Sequence, residues 1–188
     1  MIILASRSPR RCELLKMIGI EEIKIIPAEI EEKPPDGLTP EQTVCEIALQ
    51  KARCVSPFCG GHDTIIAADT LVYIDGQPIG KPADENDAAA ILWKLSGRRH
   101  SVYTGMAVIR GADCIFGAEK TDVFFREILG AEIAAYIKTG EPMDKAGAYG
   151  AQGRGAAFIE RIEGDFYNVV GLPVCRLSKM LKDFGIVL

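Results

Sequence analysis

The stretch LASRSPRR, Leu4–Arg11, decides how the chain begins to fold. The apolar run Ile2-Ile3-Leu4 reads as a strand and ends at Ser6-Arg7-Ser8-Pro9, where Ser8 has the chemistry of a helix N-cap and Pro9 suits the first helical position. A helix over Pro9–Ile18, with Leu14, Leu15 and Ile18 on one face, and a second strand over Glu22–Pro27 complete a β-α-β opening. Arg10 and Arg11 then fall in the first turn, at the positive end of the helix dipole. Exposed cations there cost roughly 0.3–1 kcal/mol each. A bound phosphate would turn that cost into a gain, because backbone N–H groups, two hydroxyls and two guanidinium forks all donate toward the strand end. The alternative is that both arginines are solvated or paired with Glu13 or other nearby acids.

Working outward, Thr39-Pro40 starts a long helix through Arg53, with Val44, Ile47, Ala48 and Ala52 on its apolar side. DTIIAADT follows, Asp63–Thr70. Its four consecutive apolar residues suit a strand covered on both faces, with Asp69 at the C-terminal end. Asp75-Gly76 marks a hairpin, Asp84–Leu95 a helix, and Gly111-Ala112-Asp113 the turn of a second, longer hairpin. Gly130–Lys138 and Leu177–Phe184 complete the helices around a glycine-rich loop, DKAGAYGAQGRGAAF. Interleaved strands and helices without a linker or repeat predict one α/β domain over residues 1–188, with a mixed, twisted sheet flanked by helices. Ligands of such sheets lie at C-terminal strand ends, where this reading places both Ser6–Arg11 and Asp69-Thr70.

Composition narrows the function. The 188 residues are 48% apolar and 26% charged, with a net charge of −4, ordinary for one globular core and unfavourable for general nucleic-acid binding. The apolar start, Met1–Ala5, is too short for a signal peptide or a membrane span, so a cytosolic protein is expected. The six cysteines share no repeated spacing and read as buried small hydrophobes. Cys54, Cys59 and His62 could form a metal cluster but lack a second pair.

Each candidate residue has a plain reading beside a chemical one. Asp69 could bind a divalent ion, orient water or cap a turn. Glu29, Glu31 and Glu32 form either a solvated face or a hard-metal site. Lys51 and Lys81 are either surface cations or phosphate contacts. Gln152, within four closely spaced glycines, presents a donor beside an acceptor that matches a uracil or thymine edge, or a cytosine edge if flipped; only a locked amide would discriminate.

Six fragments in order, LASRSPRR, AADT, IGKP, SGRRHSVYTG, EPMDKAGAYGAQG and GDFYNVVGLP, resemble the Maf family of nucleoside triphosphate pyrophosphatases nearly end to end. The resemblance implies an elongated α/β fold similar to the inosine triphosphate pyrophosphatases, a divalent metal (Mg²⁺ or Mn²⁺), and cleavage of a nucleoside triphosphate to monophosphate and pyrophosphate. The run Asp144–Gly150 followed by Gln152-Gly153 is similar to the branch acting on dTTP and UTP, with modified pyrimidine nucleotides as further substrates, rather than the 7-methyl-GTP branch; Ala151 stands where that branch often has Ile. By the same resemblance Asp69 is the proton acceptor, and Arg10, Thr70 and Gln152 tune substrate choice. Ser8, Arg11, Lys51 and Lys81 contact phosphate, and Glu32 and Asp69 hold the metal. The partner expected is a free nucleoside triphosphate, with neither nucleic acid nor membrane, and a homodimer is left open. The competing reading is a non-enzymatic, nucleotide-binding regulator of cell division and septum formation.

Overall fold

A computed structural model describes residues 1–30 and 34–188. Among these residues, seven strands form one mixed sheet: β1 (Ile2–Leu4), β2 (Ile23–Ile25), β3 (Thr64–Ile74), β4 (Gln77–Ile79), β5 (Arg99–Arg110), β6 (Asp113–Phe125) and β7 (Ile159–Glu163). Their order is β2-β1-β3-β5-β6-β7, with β4 paired to β3. The helices are α1 (Pro9–Met17), α2 (Pro40–Val55), α3 (Glu85–Leu95), α4 (Gly130–Ile137), α5 (Phe166–Val170) and α6 (Val174–Asp183). Among the described residues no helix is long and apolar enough to cross a membrane.

Contacts divide the chain into two compact units. The first comprises Met1–Thr70, Thr104–Glu119 and Gly171–Leu188; the second comprises Leu71–Tyr103 and Lys120–Val170. In the first, β1 pairs parallel with β2 and with β3, Leu4 lying opposite Ile25 and Ile66. This is the β-α-β opening the sequence predicts, with a shorter second strand. Helix α2 starts at a capping box, in which the Thr39 side chain accepts from Gln42 N and the Gln42 side chain accepts from Thr39 N. Its Ala48, Leu49, Ala52 and Val55 pack in one core with Ile3, Ala5, Ile65, Ala67, Ala107 and Ile109. Gly105 of β5 makes that packing possible, since a Cβ there would lie 2.2 Å from the carbonyl carbon and oxygen of Val44 in α2.

The second unit has its own core. It draws on Val72, Leu92, Leu95, Val102, Phe125 and Tyr149 among others. The expected hairpin turn is present, with Asp75 (φ 53) and Gly76 (φ 73) both in the left-handed region that matches strand twist. Asn168, fully buried in α5, donates through Nδ2 to Val102 O at 3.0 Å and to Thr121 Oγ1 at 2.9 Å.

Three sequence expectations need correction. Asp69 does not close its strand: β3 runs on to Ile74, because Leu71-Val72-Tyr73-Ile74 is a strand-forming run whose last three residues pair antiparallel with β4. The short elements β7 and α5, and the first turn of α6, lie between the glycine-rich loop and Leu177, where the sequence suggests no element because they are too short for a period to show. The cysteines are free, but none is fully buried: Cys12, Cys45, Cys54 and Cys59 are half-buried, and Cys114 and Cys175 are exposed. Cys54 and Cys59 lie near chain turns, where their thiols reach the carbonyls of Glu29 and Val55.

Candidate active site

Alternation along β3 points Asp69 and Thr70 to opposite faces. Asp69 shares a face with Ile65 and Ala67, which pack on α2, and Lys51 on α2 donates to its Oδ1 at 2.7 Å. Both side chains are largely buried, 13% and 8% exposed. An ion pair so desolvated stands only if its geometry is good and its remaining polar atoms find partners. Yet Asp69 Oδ2 is buried and has no hydrogen-bond partner among the described residues. An open carboxylate oxygen beside a cation is costly as structure and useful as chemistry: it can accept a proton from water or bind a hard metal ion.

Thr70 meets the other helix of the opening. Arg11 on α1 spreads its guanidinium over three acceptors, Gly171 O at 2.8 Å through Nε, Ser6 Oγ at 3.0 Å through Nη1 and Thr70 Oγ1 at 3.1 Å through Nη2. Thr70 is linked in turn to Thr104 at 2.9 Å, and Ser6 Oγ also accepts from Ser8 N at 3.2 Å. The strand-end loop, β3 and the approach to α6 thus meet on one cation, and β5 joins them through Thr104. Gly171 (φ 115) is needed in that position, since a Cβ would lie 3.3 Å from Thr70 Oγ1. Thr104 and the Gly171 carbonyl were not legible as site residues. Their one signal was membership in the YTG and GLP fragments, which carry no chemistry of their own.

The remaining expected residues fall into three groups. Ser8 is the N-cap of α1, though its side chain makes no cap bond, and Arg10 is half-buried in the first turn. Lys81 and Gln152 belong to the second unit and are exposed. Glu31 and Glu32 lie outside the described residues, while Glu29 pairs with Arg7 at 2.9 Å on the surface. Among the described residues no three His, Cys, Asp or Glu side chains converge as a metal site, so the Cys54, Cys59 and His62 grouping does not form one.

Hydroxyls and a helix N-terminus at the end of β1, beside a buried strand carboxylate with one oxygen open, give this α/β fold the chemistry to hydrolyse a phosphorylated ligand. The chain belongs to the Maf family, whose sequence model, described as "Maf-like protein", matches residues 1–184. It is 48% identical over 184 residues to a protein of Symbiobacterium thermophilum named dTTP/UTP pyrophosphatase, spanning 98% of this chain and 94% of that one. A protein of Pelotomaculum thermopropionicum with the same name is 49% identical over 186 residues, spanning 98% and 96%. In three dimensions the chain is similar to a Ham1 protein of Staphylococcus aureus, with a TM-score of 0.55 at 16% identity over 97% of this chain and 98% of that one. A Ham1 protein of Coxiella burnetii gives a TM-score of 0.53 at 18% identity over the same shares. The likeness to the Ham1 proteins is one of fold.

Proposed function

We propose that this chain hydrolyses dTTP and UTP, and modified pyrimidine triphosphates, to the monophosphate and pyrophosphate, as a house-cleaning enzyme of the cytoplasmic nucleotide pool. The observation that carries the reading is the open Oδ2 of Asp69 beside Lys51; the names of the relatives support it and favour turnover over a purely regulatory role.

In this reaction Asp69 Oδ2 takes a proton from water as the water oxygen bonds to the α-phosphorus. The bond from that phosphorus to the bridging oxygen breaks, and its electrons leave with pyrophosphate. Lys51 fixes the rotamer of Asp69 through Oδ1 and cancels its charge, so that the carboxylate does not repel the triphosphate. Arg10 and Lys81 neutralise phosphate charge, and Arg11, whose donors already hold Ser6, Thr70 and Gly171, keeps the phosphate-facing loop in shape. Asp69 Oδ2 fits a divalent cation as a hard oxygen donor, with Glu32 as its expected companion. When bound, Mg²⁺ or Mn²⁺ would supply charge neutralisation at the phosphates and acidify a water molecule.

Incubating the purified protein with a panel of normal and modified triphosphates tests this. Equal amounts of monophosphate and pyrophosphate are expected from dTTP and UTP, with turnover lost in excess chelator and restored by Mg²⁺ or Mn²⁺. Release of orthophosphate would falsify the reaction assigned; a preference for 7-methyl-GTP would keep the reaction and reject the pyrimidine assignment.

A further inference from the structure

The glycine-rich loop that carries Gln152 is fastened from behind. Glu141 opens a short 3-10 turn after α4, immediately past Gly140 in the left-handed conformation (φ 73). Its Oε2 accepts from Arg154 N at 2.9 Å, and its Oε1 accepts from Gly155 N at 3.2 Å and from the Tyr136 hydroxyl at 2.8 Å. The same hydroxyl accepts from Gly150 N at 3.1 Å. Three backbone donors that bracket Gln152 are therefore held by two side chains, and neither touches the Gln152 amide.

The glycines show how tight the fastening is. A Cβ on Gly153 would lie 2.3–2.5 Å from the Glu141 carboxylate, and one on Gly155 would lie 2.8 Å from the Tyr136 hydroxyl. Only a chain without side chains at those two positions can pass so close to the Glu141 carboxylate and the Tyr136 hydroxyl. Tyr136 is itself fixed, 4% exposed and edge-on to Phe158 at 5.1 Å between ring centres. Burial raises the Glu141 pKa, but the bonds from Arg154 N, Tyr136 and Gly155 N outweigh it and hold the carboxyl below its ordinary range. Glu141 thus works as an ionised clip. Gln152 stands exposed between the fastened residues.

An exposed amide on a free loop could present either end to a base. We infer that Glu141 and Tyr136 are positioning residues for base selection: by fixing the backbone on both sides of Gln152 they fix the direction in which its amide meets a pyrimidine. This rests on the proposed function and on Gln152 as the base-reading residue. The substrate class concerned is the pyrimidine nucleoside triphosphates, and the effect belongs to discrimination among bases rather than to bond cleavage.

The test compares kcat and KM for UTP and CTP in the wild type, Glu141→Gln, Tyr136→Phe and Gln152→Ala, and in the double variant Glu141→Gln/Gln152→Ala. Glu141→Gln sets an amide NH₂ against backbone donors, and Tyr136→Phe removes the acceptor of Gly150 N. In each, KM for UTP should rise about tenfold with kcat nearly unchanged, and preference over CTP should fall by a similar factor, as expected for one to two lost hydrogen bonds. The double variant should discriminate no worse than Gln152→Ala alone. Additive losses, or a fall in kcat with selectivity intact, would overturn the positioning role. Melting curves identify a variant that fails to fold, and Tyr136→Phe then decides. If the wild type releases no pyrophosphate from UTP, it is the proposed function that fails. In that case faster hydrogen exchange at the amides of residues 150, 154 and 155, with unchanged UTP binding in Glu141→Gln, also overturns the positioning role, whereas weakened binding retains it.

Discussion

Asp69 and Glu141 are both carboxylates held by hydrogen bonds, one buried and one half-buried, and the protein treats them in opposite ways. Asp69 shares one oxygen with Lys51 and keeps the other open in a buried position. Glu141 has both oxygens occupied by donors of its own chain. The first arrangement carries a cost that folding alone does not explain; the second is saturated and therefore serves shape. The surroundings follow the same division. Around Asp69 stands Lys51, and at the neighbouring Thr70 stand Arg11 and the Thr104 hydroxyl. The second unit instead holds a neutral, buried pair: His100 and Tyr149 lie 2.8 Å apart through Nε2 and the hydroxyl. Burial pushes the histidine down and the tyrosine up, so neither ionises near neutrality.

The largest effects are expected at Asp69. Asp69→Asn should lower kcat about 10²–10⁴-fold, the contribution of a general base, and also lower the melting temperature, since the buried Lys51 loses its 2.7 Å ion pair with Asp69, a loss of about 3 kcal/mol. The double variant Lys51→Gln/Asp69→Asn should recover much of that stability and none of the activity. Recovery of both would make the pair structural. Arg11→Ala comes next: three acceptors lose one charged donor, and urea unfolding should report a loss of about 3 kcal/mol even without nucleotide.

A smaller effect separates the two units by pH. His100 titrates at about 4 in the folded protein against 6.5 when free, because burial disfavours its cation. Between those values the unfolded chain binds a proton that the folded chain refuses, so stability falls as the pH drops. The loss from pH 6.5 to about 5 should be on the order of 2 kcal/mol, and His100→Gln should flatten it. Smallest of all is the exposed Arg7–Glu29 pair. Glu29→Ala should shift stability by no more than about 0.5 kcal/mol, because solvent screens both charges; a larger loss would give Glu29 a structural weight its exposure argues against.

The sequence was most legible where a period or a turn signal repeats. The α2 face, the two-sided burial of Ile65–Ala68 and the Asp75-Gly76 hairpin all follow from spacing, and each is present. A carboxylate among apolar neighbours marks Asp69 in the sequence, but the polar pair Asp69-Thr70 looks like a stop and so suggests a strand end. The strand-forming residues beyond it override that stop. Arg11 illustrates a different limit: its position in the first turn could be read, but its partner at Gly171 lies 160 residues away and is a backbone carbonyl, which no side-chain pattern announces. The Glu141 clip was invisible for the same reason, since its acceptors meet backbone N–H groups.

Gly105 has a consequence for any survey of mutational tolerance. With Val44 only 2.2 Å from where its Cβ would stand, every replacement must push α2 away from β5, and α2 carries Lys51. A library selected for turnover would therefore deplete position 105 as severely as position 69 and make the two look alike. Sorting the same library for folded protein separates them: residue 105 would still be depleted of everything but glycine, whereas Asn at 69 would return once Lys51 had also been neutralised.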